Sequence, residues 1–300
     1  FYSFLTLLKI SLNGVKGGVL IHFGQADVFP FTLLRIFYKD RVYLSESGIV
    51  NKVWRKKEAI FLNKSYTVQV LSKYNDKVIC YSDWLYDHCI SINRRAFFYG
   101  PSRMTYTWIN YISQVQEKYL HKYHPIIETN DVVVTFFSTY LGNLPLLKDS
   151  TSTCDLFVDV IDVFEKHFPD VILMIKPHAI TDVDLLEDML RKKNVKYQIT
   201  YLHPTVLIQR SSLIIANYVT NLFADSKITG TPVVEYTDQD KDILKFTDGE
   251  SLSKEYVDRF IGNKDKDELV DAITLYLNQN KITKIFDDYP DSDKLINGMF

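Results

Sequence analysis

Two short stretches of this 300-residue chain carry side chains suited to holding an anion. The first is the apolar run Val171 to Ile175, which ends in Lys176-Pro177-His178 and gives way at once to a helix-like segment. A short, wholly apolar run suits a strand buried on both faces of a parallel sheet, and ligands of such sheets gather at the carboxyl ends of the strands. A cation and an imidazole at that place fit a phosphate. The second stretch lies one strand-helix-strand repeat further on, where Leu213 to Ala216 runs into Asn217-Tyr218-Val219-Thr220-Asn221. There the hydroxyl of Thr220 and the free backbone N–H groups at Asn221 meet a helix start, whose unsatisfied donors and dipole favour negative charge. Taken alone, Asn217 or Thr220 is as readily a helix cap, Lys176 a surface cation and His178 a ring stacked at a sheet edge. Occurring together at the ends of two strands of one sheet, they share a rim, and the phosphate reading gains.

The elements that must position them alternate. A helix is expected over residues 1–10, then a strand over Gly17–Phe23, a helix over Pro30–Tyr38 and a strand over Arg41–Leu44. Further strands are expected at Lys77–Tyr81 and Arg95–Tyr99, and a helix at Tyr106–Leu120. His121 to Asn130, with Pro125 and little apolar periodicity, reads as a linker. Beyond it, strands at Asp131–Phe137, Val171–Ile175, Gln198–Leu202, Leu213–Ala216 and Pro232–Tyr236 enclose helices at Cys154–His167, Asp182–Lys193 and Asn221–Ile228. Helices at Lys254–Ile261 and Asp267–Asn278 precede a polar tail. The pattern implies right-handed crossovers, parallel sheets and an α/β fold of two Rossmann-like domains, residues 1–122 and 130–300. The chain opens without Met and with a helix where a strand would usually stand, so it is expected to begin inside a longer fold.

Bulk composition narrows the function classes. With 46% hydrophobic residues, two real cores are within reach. A formal net charge of -2 argues against a protein whose main task is coating nucleic acid and favours small polar or anionic ligands. Cys80, Cys89 and Cys154 form an odd set without paired spacing, so neither a disulfide framework nor a zinc site is expected, and a reducing, cytoplasmic setting follows. No stretch approaches the roughly 18–20 apolar residues of a membrane span.

On these motifs the C-terminal half resembles the nucleotide-binding domain of GT-B glycosyltransferases of the bacterial surface-polysaccharide kind. That group includes capsule transferases, sialyl- and Kdo-transferases that use CMP-sugars, and CDP-glycerol polymerases. The family pattern is Lys-Pro-His-Pro, a Ser/Thr motif after a later strand, and a Gly-x-Pro-Val strand. Here Lys176-Pro177-His178-Ala179 departs in its last residue, and Tyr218-Val219-Thr220 replaces the commoner Ser-Ser or Ser-Thr. The likeness implies a GT-B-like fold with parallel sheets facing a central cleft. It also implies that Ser138 and Thr139, after the first strand of the second domain, touch the donor phosphate, and that Glu235 hydrogen-bonds a ribose hydroxyl. In the first half, Ser45-Glu46-Ser47-Gly48 is similar to the acidic-acidic-Gly motif that carries the general base of the sialyltransferase-like families. One acidic position is Ser47, so the base falls to Glu46, whose plainer reading is a solvated loop carboxylate. Phe98-Tyr99-Gly100-Pro101-Ser102-Arg103 resembles a Gly-x-Pro turn seen late in that domain.

The resemblance implies inverting transfer of a sugar from an activated nucleotide, with a CMP-sugar of the sialic acid or Kdo kind favoured, to an oligosaccharide or glycolipid acceptor in capsule or lipopolysaccharide synthesis. Glu46 would take the acceptor proton, while His178, Lys176, Thr220 and the helix start at Asn221 would stabilise the departing phosphate. No Asp-x-Asp motif stands out, so no cofactor and no metal are expected. A cytoplasmic protein, peripherally associated with the inner face of the membrane, is compatible with such acceptors. The rivals are a nucleoside-diphosphate-sugar or CDP-glycerol transferase of the same fold, a sugar-nucleotide epimerase, and a non-catalytic GT-B module that binds glycan or scaffolds a synthase.

Overall fold

The computed structural model describes residues 19–22, 29, 31–37, 41–45, 77–80, 83–98, 106–144, 146–218, 220 and 222–279. These fall into two compact units, one from residues up to 98 and one from Tyr106 onward.

In the first unit, β1 (Val19–His22), α1 (Phe31–Phe37), β2 (Val42–Ser45), β3 (Lys77–Cys80), α2 (Asp83–Ser91) and β4 (Ala96–Phe98) build a four-stranded parallel sheet in the order β1-β2-β3-β4. Its core gathers Ile21, Leu34, Val42, Leu44, Val78, Cys80 and Cys89. All four expected strands are present, the second one residue later than expected, at Val42–Ser45 instead of Arg41–Leu44. Glu46 and most of the Gly-x-Pro turn lie outside the described residues, as does the helix expected at 1–10.

The second unit runs α3 (Tyr106–Tyr123), β5 (Val133–Ser138), α4 (Thr153–His167), β6 (Ile172–Pro177), α5 (Val183–Leu190), β7 (Tyr197–Ile199), α6 (Pro204–Arg210), β8 (Leu213–Ala216), α7 (Leu222–Thr229), β9 (Val233–Tyr236), α8 (Lys241–Phe246), β10 (Arg259–Ile261) and α9 (Lys266–Leu277). Its six strands are all parallel, in the order β10-β9-β8-β5-β6-β7. Because successive strand residues point to opposite faces, the apolar runs feed two cores. Val134, Phe136, Leu173, Ile175, Leu213 and Ile215 pack under α4, α5 and α9. Val133, Phe137, Met174, Ile214 and Ala216 pack under α3, α6 and α7.

Three expectations change. The helix at Tyr106–Tyr123 packs with the second unit, not the first, because Ile112 and Leu120 bury against Val206, Leu207 and Ile208 of α6. The helix expected at Lys254–Ile261 is instead a turn followed by strand β10. Tyr256, Val257, Phe260 and Ile261 mimic a helical stripe, but Asp258 accepts the Val233 N–H at 2.9 Å and Phe260 pairs with Glu235, so the chain is claimed by the sheet. Finally, α6 and α8 stand where no helix was expected, one opened by Pro204 after an N-cap His203, the other capped by Asp240.

Candidate functional site

The strand order reverses between β5 and β8, and at such a switch point the two loops diverge and leave a crevice at the carboxyl rim. The sheet register brings the expected residues to that rim. Phe137 pairs with Lys176 on one side and with Ala216 on the other, and Ala216 pairs with Glu235. Lys176, Phe137, Ala216 and Glu235 therefore form one rung facing one side of the sheet. Lys176 and Glu235 are three strand spacings apart, about 14 Å, too far to pair.

Asn217, fully buried, bridges the switch point. Its Oδ1 accepts the Thr139 backbone N–H at 3.0 Å, and its Nδ2 donates to the Thr153 carbonyl at 3.4 Å. Thr153 opens α4, which begins in a capping box between Ser152 and Asp155. Its hydroxyl donates to the Tyr140 carbonyl and accepts the Gly142 N–H, each at 2.8 Å. Gly142 sits at φ 156°, a conformation side-chain-bearing residues rarely adopt. Asn217 is thus engaged at both ends of its amide and wholly enclosed: it holds the rim together and presents no surface to a phosphate. Ser138 is likewise occupied, donating to the Thr139 carbonyl at 3.0 Å.

Lys176 is half-buried and has no hydrogen-bonding or ionic partner among the described residues, and burial alone lowers its pKa. His178 is exposed beyond the strand end; its Nδ1 accepts the Ile180 N–H at 3.4 Å, which in the neutral ring puts the proton on Nε2. The Thr220 hydroxyl accepts the Leu222 N–H at 3.4 Å and so caps α7, while Asn221 lies outside the described residues.

Glu235 differs from the expectation. It is wholly enclosed, with Oε2 accepting the Ser251 hydroxyl and Oε1 without a hydrogen-bond partner. Burial pushes its pKa up to about 7, against the opposing Ser251 hydrogen bond. In this conformation it offers no surface to a ribose hydroxyl. Its charge is felt instead by Tyr218, whose pKa is raised by burial first and then by Tyr140 and Glu235.

Sequence reasoning missed Tyr140, Thr153 and Ser251, although the Ser152-x-x-Asp155 signature already marked a helix start beside the rim. It also missed a cavity of about 880 Å³ between α3 and the connection from β7 to α6, lined by Trp108, Tyr111, Tyr119, Tyr123 and Tyr201 among others. Only fold-level pairing of α3 with α6 could have assembled it. Among the described residues no helix is long and apolar enough to cross a membrane.

No family model and no curated protein matches the sequence. Solved structures do match. A UDP-GlcNAc 2-epimerase from Neisseria meningitidis, bound to UDP-GlcNAc, superposes with a TM-score of 0.66 at 14% identity, over 99% of this chain and 79% of the other. A glycosyltransferase of kitacinnamycin gives 0.52 at 10% identity, over 99% and 74%. A UGT transferase from Siraitia grosvenorii, in complex with UDP, gives 0.52 at 10% identity, over 99% and 84%. At such identities the likeness speaks for architecture, and with the two parallel sheets it establishes that the chain has the GT-B fold.

Proposed function

We propose that the chain is a glycosyltransferase that binds a nucleotide-activated sugar at the carboxyl rim of the second unit's sheet. The observation that carries this reading is Lys176: a half-buried ammonium at a strand end, with no carboxylate among the described residues to neutralise it, beside the switch point. A cation taken partly out of water is costly unless an anion meets it, and a donor phosphate supplies one. His178 Nε2 and the capped start of α7 at Thr220 add donors for the same charge. Asn217 positions the Thr139 loop rather than touching the ligand. Glu46 is the proposed general base toward an acceptor hydroxyl, with inversion at the anomeric carbon. Neutralisation by protein groups makes the reaction metal-independent in this reading, and EDTA should leave its rate unchanged.

Kin by fold support the nucleotide but do not choose it, since the two UDP-type complexes above are matched only in architecture. A CMP-sugar of the sialic acid or Kdo kind remains the favoured donor, on the acidic-x-Gly motif at Glu46 and the Lys176-Pro177-His178 motif. Capsule or lipopolysaccharide synthesis is the proposed setting. A sugar-nucleotide epimerase is the second reading, favoured by the higher TM-score of the meningococcal enzyme. Incubation with donor alone separates the two: an epimerase converts the sugar nucleotide without acceptor, whereas a transferase needs one. Titration with CMP, CDP and UDP tests both, and no binding at millimolar concentration would dismiss them together.

A further inference from the structure

We propose that the groove between α3 and the β7–α6 connection is a binding site for an uncharged oligosaccharide, separate from the nucleotide rim. It lies beside the edge strand β7, one strand spacing, about 5 Å, from β6, whose end carries Lys176, and two spacings from β5 at the switch point. Its volume of about 880 Å³ far exceeds what a single flat ring fills and matches a ligand of several rings.

The chemistry of the lining selects the class. Among the described residues no Lys, Arg, Asp or Glu lines it, with Lys122 reaching it only over the Tyr123 ring, so a predominantly aromatic and apolar surface argues against a phosphate or a charged peptide as the matching ligand. Four tyrosines stand with much of their rings in water: Tyr111 at 49%, Tyr119 at 38%, Tyr123 at 54% and Tyr201 at 66% exposure. Clustered exposed aromatic surface marks a binding site, and tyrosine pairs an apolar face with a hydrogen-bonding tip. A pyranose has the complementary form, with a C–H face to stack on the ring and hydroxyls to meet the tips. An acyl chain would cover the rings but leave the phenol groups without partners.

The groove is also built in advance. Trp108 donates from Nε1 to the Thr205 hydroxyl at 3.5 Å and meets the His203 ring edge-on at 5.3 Å. His124 bonds Thr200 at 2.8 Å, and Gln209 donates to the Ile109 carbonyl at 3.0 Å. These contacts fix both walls, Tyr111 meets the Trp108 ring at 6.1 Å and the Lys122 ammonium stands 5.0 Å over the Tyr123 ring, so little ordering is required for a sugar that takes the Lys122 place on that face.

The test is calorimetric titration of the full chain with neutral malto-, cello- and chito-oligosaccharides and lacto-series glycans, repeated on Tyr123→Ala/Tyr201→Ala, two exposed positions whose loss leaves the fold intact. At least one series should bind, and the double variant should weaken it about tenfold with unchanged affinity for CMP, CDP and UDP. No binding by any series, or binding indifferent to the double variant, overturns the proposal. So does loss of nucleotide affinity in the variant, which would make the groove part of the nucleotide site. Sugar binding without any nucleotide binding would keep this site and sink the transferase reading.

Discussion

Asn217 accepts the Thr139 backbone N–H at 3.0 Å and thereby ties the end of β8 to the end of β5 where the strand order of the second sheet reverses. The same buried amide also reaches the start of α4, its Nδ2 donating to the Thr153 carbonyl, so three segments are tied at this point of the rim. Asn217→Ala should lower stability by about 2–3 kcal/mol, the loss of two buried hydrogen bonds, read as a fall in the urea midpoint of the second unit. Asn217→Asp keeps the acceptor for Thr139 but puts a negative charge beside the proposed phosphate. It should therefore weaken nucleotide binding more than Asn217→Ala does, and the reverse order would remove the phosphate from this place.

Glu235 gives a pH signature. Its folded pKa of about 7 lies above the ordinary 4.5, because burial disfavours the carboxylate. The folded state thus holds its proton more tightly than the unfolded chain does. The associated stability is full below about pH 4.5 and is lost as pH rises through about 7, at most about 3 kcal/mol. Glu235→Gln, which keeps an oxygen for Ser251, should flatten the fall in melting temperature between pH 5 and pH 8 (about the window in which the group titrates). A slope unchanged from the parent would show that the carboxyl is ionised in the fold.

Much of this rim was legible in the sequence. Leu213 to Ala216 and Val171 to Ile175 are too short and too uniformly apolar for surface helices, so their strand character and shared sheet follow from pattern alone. Side-chain commitment was not legible. Asn217 and Glu235 carry the right chemistry for a ligand, but one is used up by a backbone N–H seventy-eight positions away and the other is sealed under Ser251. Such long-range partners leave no local trace. The stretch at Tyr256 to Ile261 misled for the same reason: its apolar spacing is helical, and only pairing with β9 makes it a strand.

Glu46→Gln should leave nucleotide affinity within about twofold of the parent while lowering transfer at least about a hundredfold, the usual weight of a general base. Assay of transfer to a glycan acceptor, with nucleotide release as readout, checks it. Retained turnover would take Glu46 out of the base role.

The measurement that bears most directly on the nucleotide site is calorimetric titration of the parent chain and Lys176→Met with CMP, CDP and UDP. Methionine keeps the buried stem of the lysine and removes only its charge. The expected result is binding of at least one nucleotide by the parent, weakened about tenfold to a hundredfold in the variant, with a melting temperature equal to or above the parent's, since a half-buried charge without a partner among the described residues is gone. Equal nucleotide affinity in the two proteins, or a marked loss of stability in the variant, would contradict the assignment of Lys176 as the phosphate's counter-charge.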